Sequence, residues 1–413
     1  MSPRAPGAAR WLRHAAALAL LAILAACGGG GSDDAAAPAA SPGATPGDTA
    51  PDVAAGSNVV PILLDRGTDG SAINSPFVSV TLCAPASGNC RTIDHILLDT
   101  GSVGLRVKAS ALGTLALPAV NAGGGVLAEC GLFASGFAWG SVRSADVRLG
   151  GQQAAALPVQ VMDDPAGPYA RVPADCSDTG PALADAGSNG ILGVGFDVQD
   201  CGSACASSVV SRLPGVYFSC TASGCSIATA PLASQLAHPV AALAGGDNNG
   251  LAIVLPDVPV GGSQRVAGSL VLGIGTRANN QLGGTAIYTA RANGSFSTTY
   301  KGAVLPAFID SGSNGIFFPD AAIPLCSSGF YCPPSPLALS ATATGVNGAS
   351  VAVPFTVVDA SSLPSGTAAA RLGGSVVLGS SFDWGLPFFF GRKVFVAIAG
   401  RATPVGPGPF WAF

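Results

Sequence analysis

The chain has 413 residues, only 10% of them Asp, Glu, Lys or Arg, and a formal net charge of −4. Nothing in it forms a basic stripe, which argues against a nucleic-acid partner. Gly (57) and Pro (32) are abundant, yet Val, Ile, Leu and Phe are frequent too, so the composition excludes a disordered chain and points to many short strands joined by tight turns.

Residues 1–27 have the layout of an export signal: Arg4, Arg10 and Arg13 make a positive start, residues 15–26 are apolar, and Leu24-Ala25-Ala26-Cys27 follows. The apolar run is too short to cross a bilayer as a helix. LAAC resembles the lipobox of bacterial lipoproteins, which makes Cys27 the expected lipidation site; ordinary secretion with cleavage near Ala26 is the alternative. Gly28 is the kind of residue that outer-membrane lipoproteins usually carry after the lipid-bearing Cys. The expected location is therefore the cell envelope, at the outer membrane facing the periplasm or the exterior, with the lipid as the only membrane attachment. Residues 28–57, which include Asp33-Asp34, have no apolar periodicity and read as a flexible tether. They lack the basic, helix-forming character of a propeptide, and none is expected.

About 355 residues remain, comfortable for two cores, and the expected division is an N-terminal β lobe over 58–260 and a C-terminal β lobe over 261–413. Apolar, β-branched runs at 78–82, 93–98, 142–149, 159–162, 251–255, 269–272 and 351–358 read as strands. Helical periodicity is weak and confined to 206–213, 232–243 and 320–325. The expected fold class is all-β.

One pattern occurs in both halves. Residues 96–107 read ILLDTGSVGLRV and residues 307–318 read AFIDSGSNGIFF, so an apolar triplet leads each time into Asp, hydroxyl, Gly, Ser. The matched carboxylates are Asp99 and Asp310. The repetition extends further: LPVQVMDD (157–164) is matched by VPFTVVDA (353–360), and ILGVGF (191–196) by VLGSSF (377–382), in the same order. Two related halves that each deliver one Asp imply a site in the cleft between them.

Ten of the 11 cysteines remain once Cys27 is given to lipid, in an oxidising compartment. Close spacing pairs Cys83 with Cys90, Cys201 with Cys205, Cys220 with Cys225 and Cys326 with Cys332, which leaves Cys130 and Cys176 for each other. Cys201, Cys205, Cys220 and Cys225 could instead ligate zinc, but their spacing is irregular and only three His are present. His14 lies in the signal, and neither His95 nor His238 stands in a motif with a Ser or Cys nucleophile, so a Ser-His-Asp scheme is not expected. Asp163-Asp164 reads as a turn at a strand end.

The two Asp-Thr/Ser-Gly-Ser motifs, each with a downstream apolar-apolar-Gly element (Ile191-Leu192-Gly193 and Val377-Leu378-Gly379), resemble those of the pepsin-like aspartic peptidases. Residues 268–275, GSLVLGIG, resemble the strand that opens the second half of that family's interlobe sheet, and the segment VVLGSSFDWGLPFFFGRKVFVAIA resembles its closing segment. The resemblance covers residues 58–399 and extends to a group of uncharacterised proteobacterial lipoproteins. It implies a bilobal pepsin-like fold with the active-site cleft between two duplicated lobes. The implied activity is that of an aspartic endopeptidase, in which Asp99 and Asp310 share a proton and activate a water. No metal or other cofactor is required. It further implies that Thr100 and Ser311 cross-brace the two loops, that Ser102 and Ser313 hold the outer carboxylate oxygens, and that Gly101 and Gly312 permit close backbone approach. The expected partner is an extended polypeptide, substrate or ligand, that adds to strand edges, and the protein is expected to be a monomer.

Two positions depart from the family pattern. Residues 133–151 resemble the flap hairpin, and the flap Tyr position falls on Phe133. The Trp that supports that Tyr falls on Arg106. Arg106 reads either as a solvated strand-end charge or as a site for an acidic group of the substrate. Trp139 either lines the cleft or packs beneath the hairpin. Phe133 and Arg106 support a rival reading, a non-catalytic binding lipoprotein that holds a peptide, glycan or protein in the cleft.

Overall fold

The computed structural model describes Val53 and residues 56–413 apart from 185–186, 208–214, 365, 367 and 377–378, all within the compact unit Ala44–Phe413. The export signal, Cys27 and nearly all of the tether lie outside the described residues.

The expected strands all form. The run at 78–82 lies within Pro76–Cys83, the run at 93–98 within Cys90–Asp99, and the run at 142–149 within Gly136–Leu149. Cys90–Asp99 carries a bulge, in which Asp94 and His95 oppose the single residue Ser79 and His95 takes a φ of 49°. That extra residue is why Ile93 and Ile96, three apart, are both buried. The helical expectations fare worse. At 232–243 there is only a 3-10 turn, Leu232–Ser234. Pro239 disfavours a helical His238, and the His238 ring accepts from the Val240 and Ala241 amides. At 320–325 the chain makes a turn that the Asp320 carboxylate closes on the Ala322 amide. Of 206–213, residues 208–213 lie outside the described residues.

Among the described residues, a 16-stranded sheet runs from the N-terminal half into the C-terminal half. The crossing point is Val59–Leu64, which pairs with Pro76–Cys83 on one side and with Val266–Leu272 on the other. Beyond it lie Gly250–Leu255, Arg392–Ala397 and Phe410–Ala412. A separate seven-stranded sheet includes Ala303–Ile309, Ile316–Phe317 and Phe382–Trp384. The result is two β lobes joined by a shared sheet, and one continuous hydrophobic cluster, rather than the two cores the length allows, runs through both. Val80, Leu98, Leu105 and Leu192 are buried in the first, Phe318, Phe382 and Trp384 in the second. Each fully buried side chain of this size contributes about 1.5–3 kcal/mol relative to exposure.

Both Asp residues stand where one strand is inserted between the strands that enter and leave a loop. Gly190–Val194 runs parallel to Cys90–Asp99, with Leu97 opposite Ile191, and antiparallel to Val103–Lys108. Phe382–Trp384 does the same between Ala303–Ile309 and Ile316–Phe317, with Phe308 opposite Asp383. The structure therefore corrects one match. The C-terminal counterpart of Ile191-Leu192-Gly193 is Asp383-Trp384-Gly385, which takes the place expected of Val377-Leu378-Gly379, whose first two residues lie outside the described residues. Steric need explains the glycine that ends each inserted element. A Cβ on Gly193 would lie 2.7 Å from the Val103 amide and one on Gly385 would fall on the Gly315 carbonyl oxygen, whereas one on Gly379 would meet nothing within 4 Å.

Candidate active site

Each Asp ends a strand, and the turn that follows is closed by its own carboxylate. The Gly101 amide donates to Asp99 Oδ1 at 2.8 Å and the Gly312 amide to Asp310 Oδ1 at 2.8 Å. Ser102 Oγ donates to Asp99 Oδ2, and Ser313 Oγ to Asp310 Oδ2 at 2.9 Å. The two loops are then tied together by four hydrogen bonds with two-fold symmetry. Thr100 Oγ1 accepts from the Ser311 amide (2.9 Å) and donates to the Ile309 carbonyl (3.0 Å), while Ser311 Oγ accepts from the Thr100 amide (3.1 Å) and donates to the Leu98 carbonyl (2.7 Å). Each hydroxyl donates once and accepts once, and each buried bond is worth about 1 kcal/mol net.

This brace sets the carboxyls of Asp99 and Asp310 beside each other at the wall of one cavity. A Cβ on Gly101 would lie 2.8 Å from the Asp310 carboxyl, and one on Gly312 2.6 Å from Asp99 Oδ1, so neither position admits a side chain. Burial, reinforced by the neighbouring Asp99 charge, pushes the Asp310 carboxyl up to about 8. The pair thus holds a proton where isolated carboxylates have lost theirs. The arrangement can take a proton from a bound water with one carboxylate and donate one with the other.

Asp99 and Asp310 line a cavity of about 390 Å³ together with Phe133, Ile191, Phe308 and Phe317. Phe133 ends the strand Gly125–Phe133, opposite Gly136 in the next strand, Gly136–Leu149. The hairpin over the cleft is this pair, so it begins one strand earlier than the stretch 133–151 suggested. The other two residues assigned to the cleft lie elsewhere. Trp139 is buried beneath the hairpin; its Nε1 donates to the Tyr169 carbonyl at 2.7 Å and its ring meets Phe218 edge-on at 5.2 Å. An alternating strand with one face on a core turns it away from the cavity.

Arg106 is also corrected. It is 4% exposed, neither solvated nor at the cleft wall, and its Nη2 donates to Glu129 and lies 3.7 Å from Asp200. Position 106 is interior to Val103–Lys108, a strand paired on both sides, so its side chain is enclosed. Its guanidinium lies 5.4 Å from the centre of the Phe133 ring, where it supports the hairpin tip from below. One Arg buried with two carboxyls leaves an excess negative charge. Burial pushes Glu129 up to about 8 and raises Asp200 as well, and a proton shared by these two acids balances the cluster. Tyr217 donates to Asp200 at 2.7 Å.

His95 is a partly buried strand residue whose Nε2 lies 3.3 Å from Asp65. His238 is fully buried, accepts at Nδ1 from two amides and lies 3.0 Å from the Gly195 carbonyl through Nε2; burial pushes it down to about 4, so it is neutral and structural. Asp163 follows its strand in a left-handed turn, and Asp164 accepts from Ser141 and Arg143. The ten cysteines form the five expected disulfides, which removes the zinc alternative for Cys201, Cys205, Cys220 and Cys225. Cys130–Cys176 ties the flap hairpin to the short helix Ala174–Ser177.

One residue escaped the sequence reading. Asp383 is 6% exposed and lines the same cavity as the two dyad carboxyls. The available signal was the DWG triplet six residues beyond the VLG match, which ends in Gly as the partner element must.

Two duplicated β lobes with a cross-braced Asp pair at their junction define the pepsin-like fold. A solved aspartic proteinase from Irpex lacteus shares it, at 15% identity and a TM-score of 0.50, over 86% of this chain and 96% of that one. The chain itself belongs to the family described as "Protein of unknown function (DUF3443)", which matches residues 54–413. A comparison with curated proteins returns no match.

Proposed function

We propose that the protein is an exported aspartic-type endopeptidase that hydrolyses peptide bonds in an extended polypeptide through a water held by Asp99 and Asp310. The observation that carries this reading is the adjacent carboxyl pair at the cleft, with every bracing hydroxyl and glycine in place. The attacking water loses a proton to the ionised carboxylate as the other carboxyl protonates the carbonyl oxygen. The tetrahedral intermediate then collapses with proton transfer to the leaving amine, and no covalent adduct is needed. In this reading the chain works as a monomer on the cell envelope, held at the outer membrane by lipid on Cys27. No helix among the described residues is long and apolar enough to cross a membrane.

The test is incubation of purified protein with a denatured protein substrate, alongside Asp99→Asn and Asp310→Asn. Cleavage that survives in either variant removes the pair from the mechanism. A second reading, a binding protein that holds a peptide, glycan or protein in the cleft without cutting it, is favoured by one observation. Phe133 puts a ring without a hydroxyl over the cavity. Tight binding of polypeptide by wild-type protein with no cleavage at any pH would select it.

A further inference from the structure

The two walls of the cleft differ at one symmetry-related position. Leu97, two residues before Asp99, stands opposite Ile191; Phe308, two residues before Asp310, stands opposite Asp383. Both Ile191 and Asp383 line the cavity. Asp383 is thus an acid where the other lobe has an aliphatic side chain. The Ser313 hydroxyl beside it donates its one proton to Asp310. Its Oδ1 is buried and has no hydrogen-bond partner. Among the described residues that line the cavity there are three carboxyls (Asp99, Asp310 and Asp383) and no Lys, Arg or His, the remainder being apolar or small and polar.

An unmatched acceptor at nine-tenths burial is costly, and a charged donor is the partner that recovers most of the loss. An apolar cavity with a buried acid on its wall suits a long methylene stem that ends in a cation. Resting on the proposed peptide-binding reading of the cleft, we infer that Asp383 selects a lysine or arginine side chain of the bound polypeptide, seated against the C-terminal lobe beside the dyad. The groups that face Asp383 are Asp310 and Ser313 from its own lobe and Asp99 from the other; the adjacent strand Ile316–Phe317 brings only apolar side chains. Burial first, then the Asp310 charge, hold the Asp383 carboxyl well above its ordinary range. Capture of a cation therefore releases a proton from Asp383 to solvent as the ion pair forms.

The experiment uses the full chain and peptides that differ only by lysine or norleucine at the positions flanking the cleaved bond. The expected result is a lysine preference in kcat/KM of about tenfold or more at one position. That ratio should collapse toward one in Asp383→Ile and in Asp383→Asn, both checked for folding by thermal melting, and persist in Asp383→Glu. Calorimetry of peptide binding in two buffers of different ionisation enthalpy should show proton release with the lysine peptide alone, and none in Asp383→Asn. Equal cleavage of the two peptides, or a preference unchanged in Asp383→Ile, overturns the inference and leaves hydrolysis standing. Tighter binding of the lysine peptide, lost in Asp383→Ile but with no cleavage of either peptide, overturns hydrolysis and leaves the inference standing.

Discussion

In the N-terminal lobe the loop at Asp99 leads into a six-residue strand, Val103–Lys108, which places Arg106 inside the lobe under the flap hairpin. In the C-terminal lobe the loop at Asp310 leads into a strand of only two residues, Ile316–Phe317, and the position equivalent to Arg106 is Phe317 at the cleft wall. The carboxyl-holding hydrogen bonds have the same donors and acceptors on both sides, down to the 2.8 Å glycine amides. The duplication has thus kept what holds the acids and diverged one strand away, where substrate and flap are met. In one lobe the buried acids Glu129 and Asp200 have Arg106 beside them, although each keeps one oxygen without a hydrogen bond; in the other, Asp383 has an unmatched oxygen and no cation among the described residues that line its cavity. Matched buried charge is a structural device, and an unmatched one at a cleft is a functional candidate.

The symmetry of the two loops is broken most severely by removing either acid. Asp99→Asn and Asp310→Asn are each expected to lower kcat/KM on a fluorogenic peptide by about 10³-fold or more, and to similar extents, because the pair acts as a unit. A variant that keeps a tenth of the activity would show that one lobe suffices. Arg106→Met, in the N-terminal lobe alone, leaves Glu129 and Asp200 buried without their cation and is expected to destabilise the protein by about 3–5 kcal/mol, read by denaturant unfolding. Ser311→Ala tests the brace: the Thr100 amide and the Leu98 carbonyl both lose their partner, at about 2–4 kcal/mol.

Asp383→Ile makes the C-terminal wall resemble the N-terminal one. It is expected to stabilise the protein at pH 7 by about 1–3 kcal/mol, since an unmatched buried acid is replaced by an apolar side chain. Loss of stability instead would mean that Asp383 has a partner the geometry does not show.

The smallest effect is one of pH. Asp310 and Glu129 both move up to about 8, so each favours the folded state below its unfolded value near 4, and that contribution is lost as pH rises toward 8. His238, pushed down to about 4, acts oppositely: its contribution is present above 6.5 and lost as pH falls toward 4. With Asp200 and Asp383 also raised, the melting temperature is expected to fall between pH 6.5 and 8, where His238 no longer contributes a slope. The activity profile should keep its alkaline limb near pH 8, and a limb near pH 5 would show that the Asp310 proton is lost far earlier.

Much of the site was legible in one dimension. Asp99 and Asp310, their glycines and the hydroxyls of Ser102 and Ser313 stand in two short repeats, because a turn closed by its own carboxylate uses only neighbours in the chain; Thr100 and Ser311 stand in the same repeats, although their bonds cross between the loops. Cys83–Cys90 and Cys220–Cys225 lie at cross-strand positions of single hairpins, which close spacing also reveals. This local geometry and its duplication were written into the order of residues. Tertiary structure alone decided which strand is inserted beside the Asp310 strand, and it took Asp383-Trp384-Gly385 over the more similar VLG. It also decided that Arg106 meets two carboxyls from Glu129 and Asp200, and that Trp139 faces the core. The reason is that insertion of a strand is settled by contacts between segments some 70 residues apart in the C-terminal lobe, such as Gly385 against the Gly315 carbonyl, and a triplet ending in Gly occurs twice there, so the local pattern does not say which one is inserted.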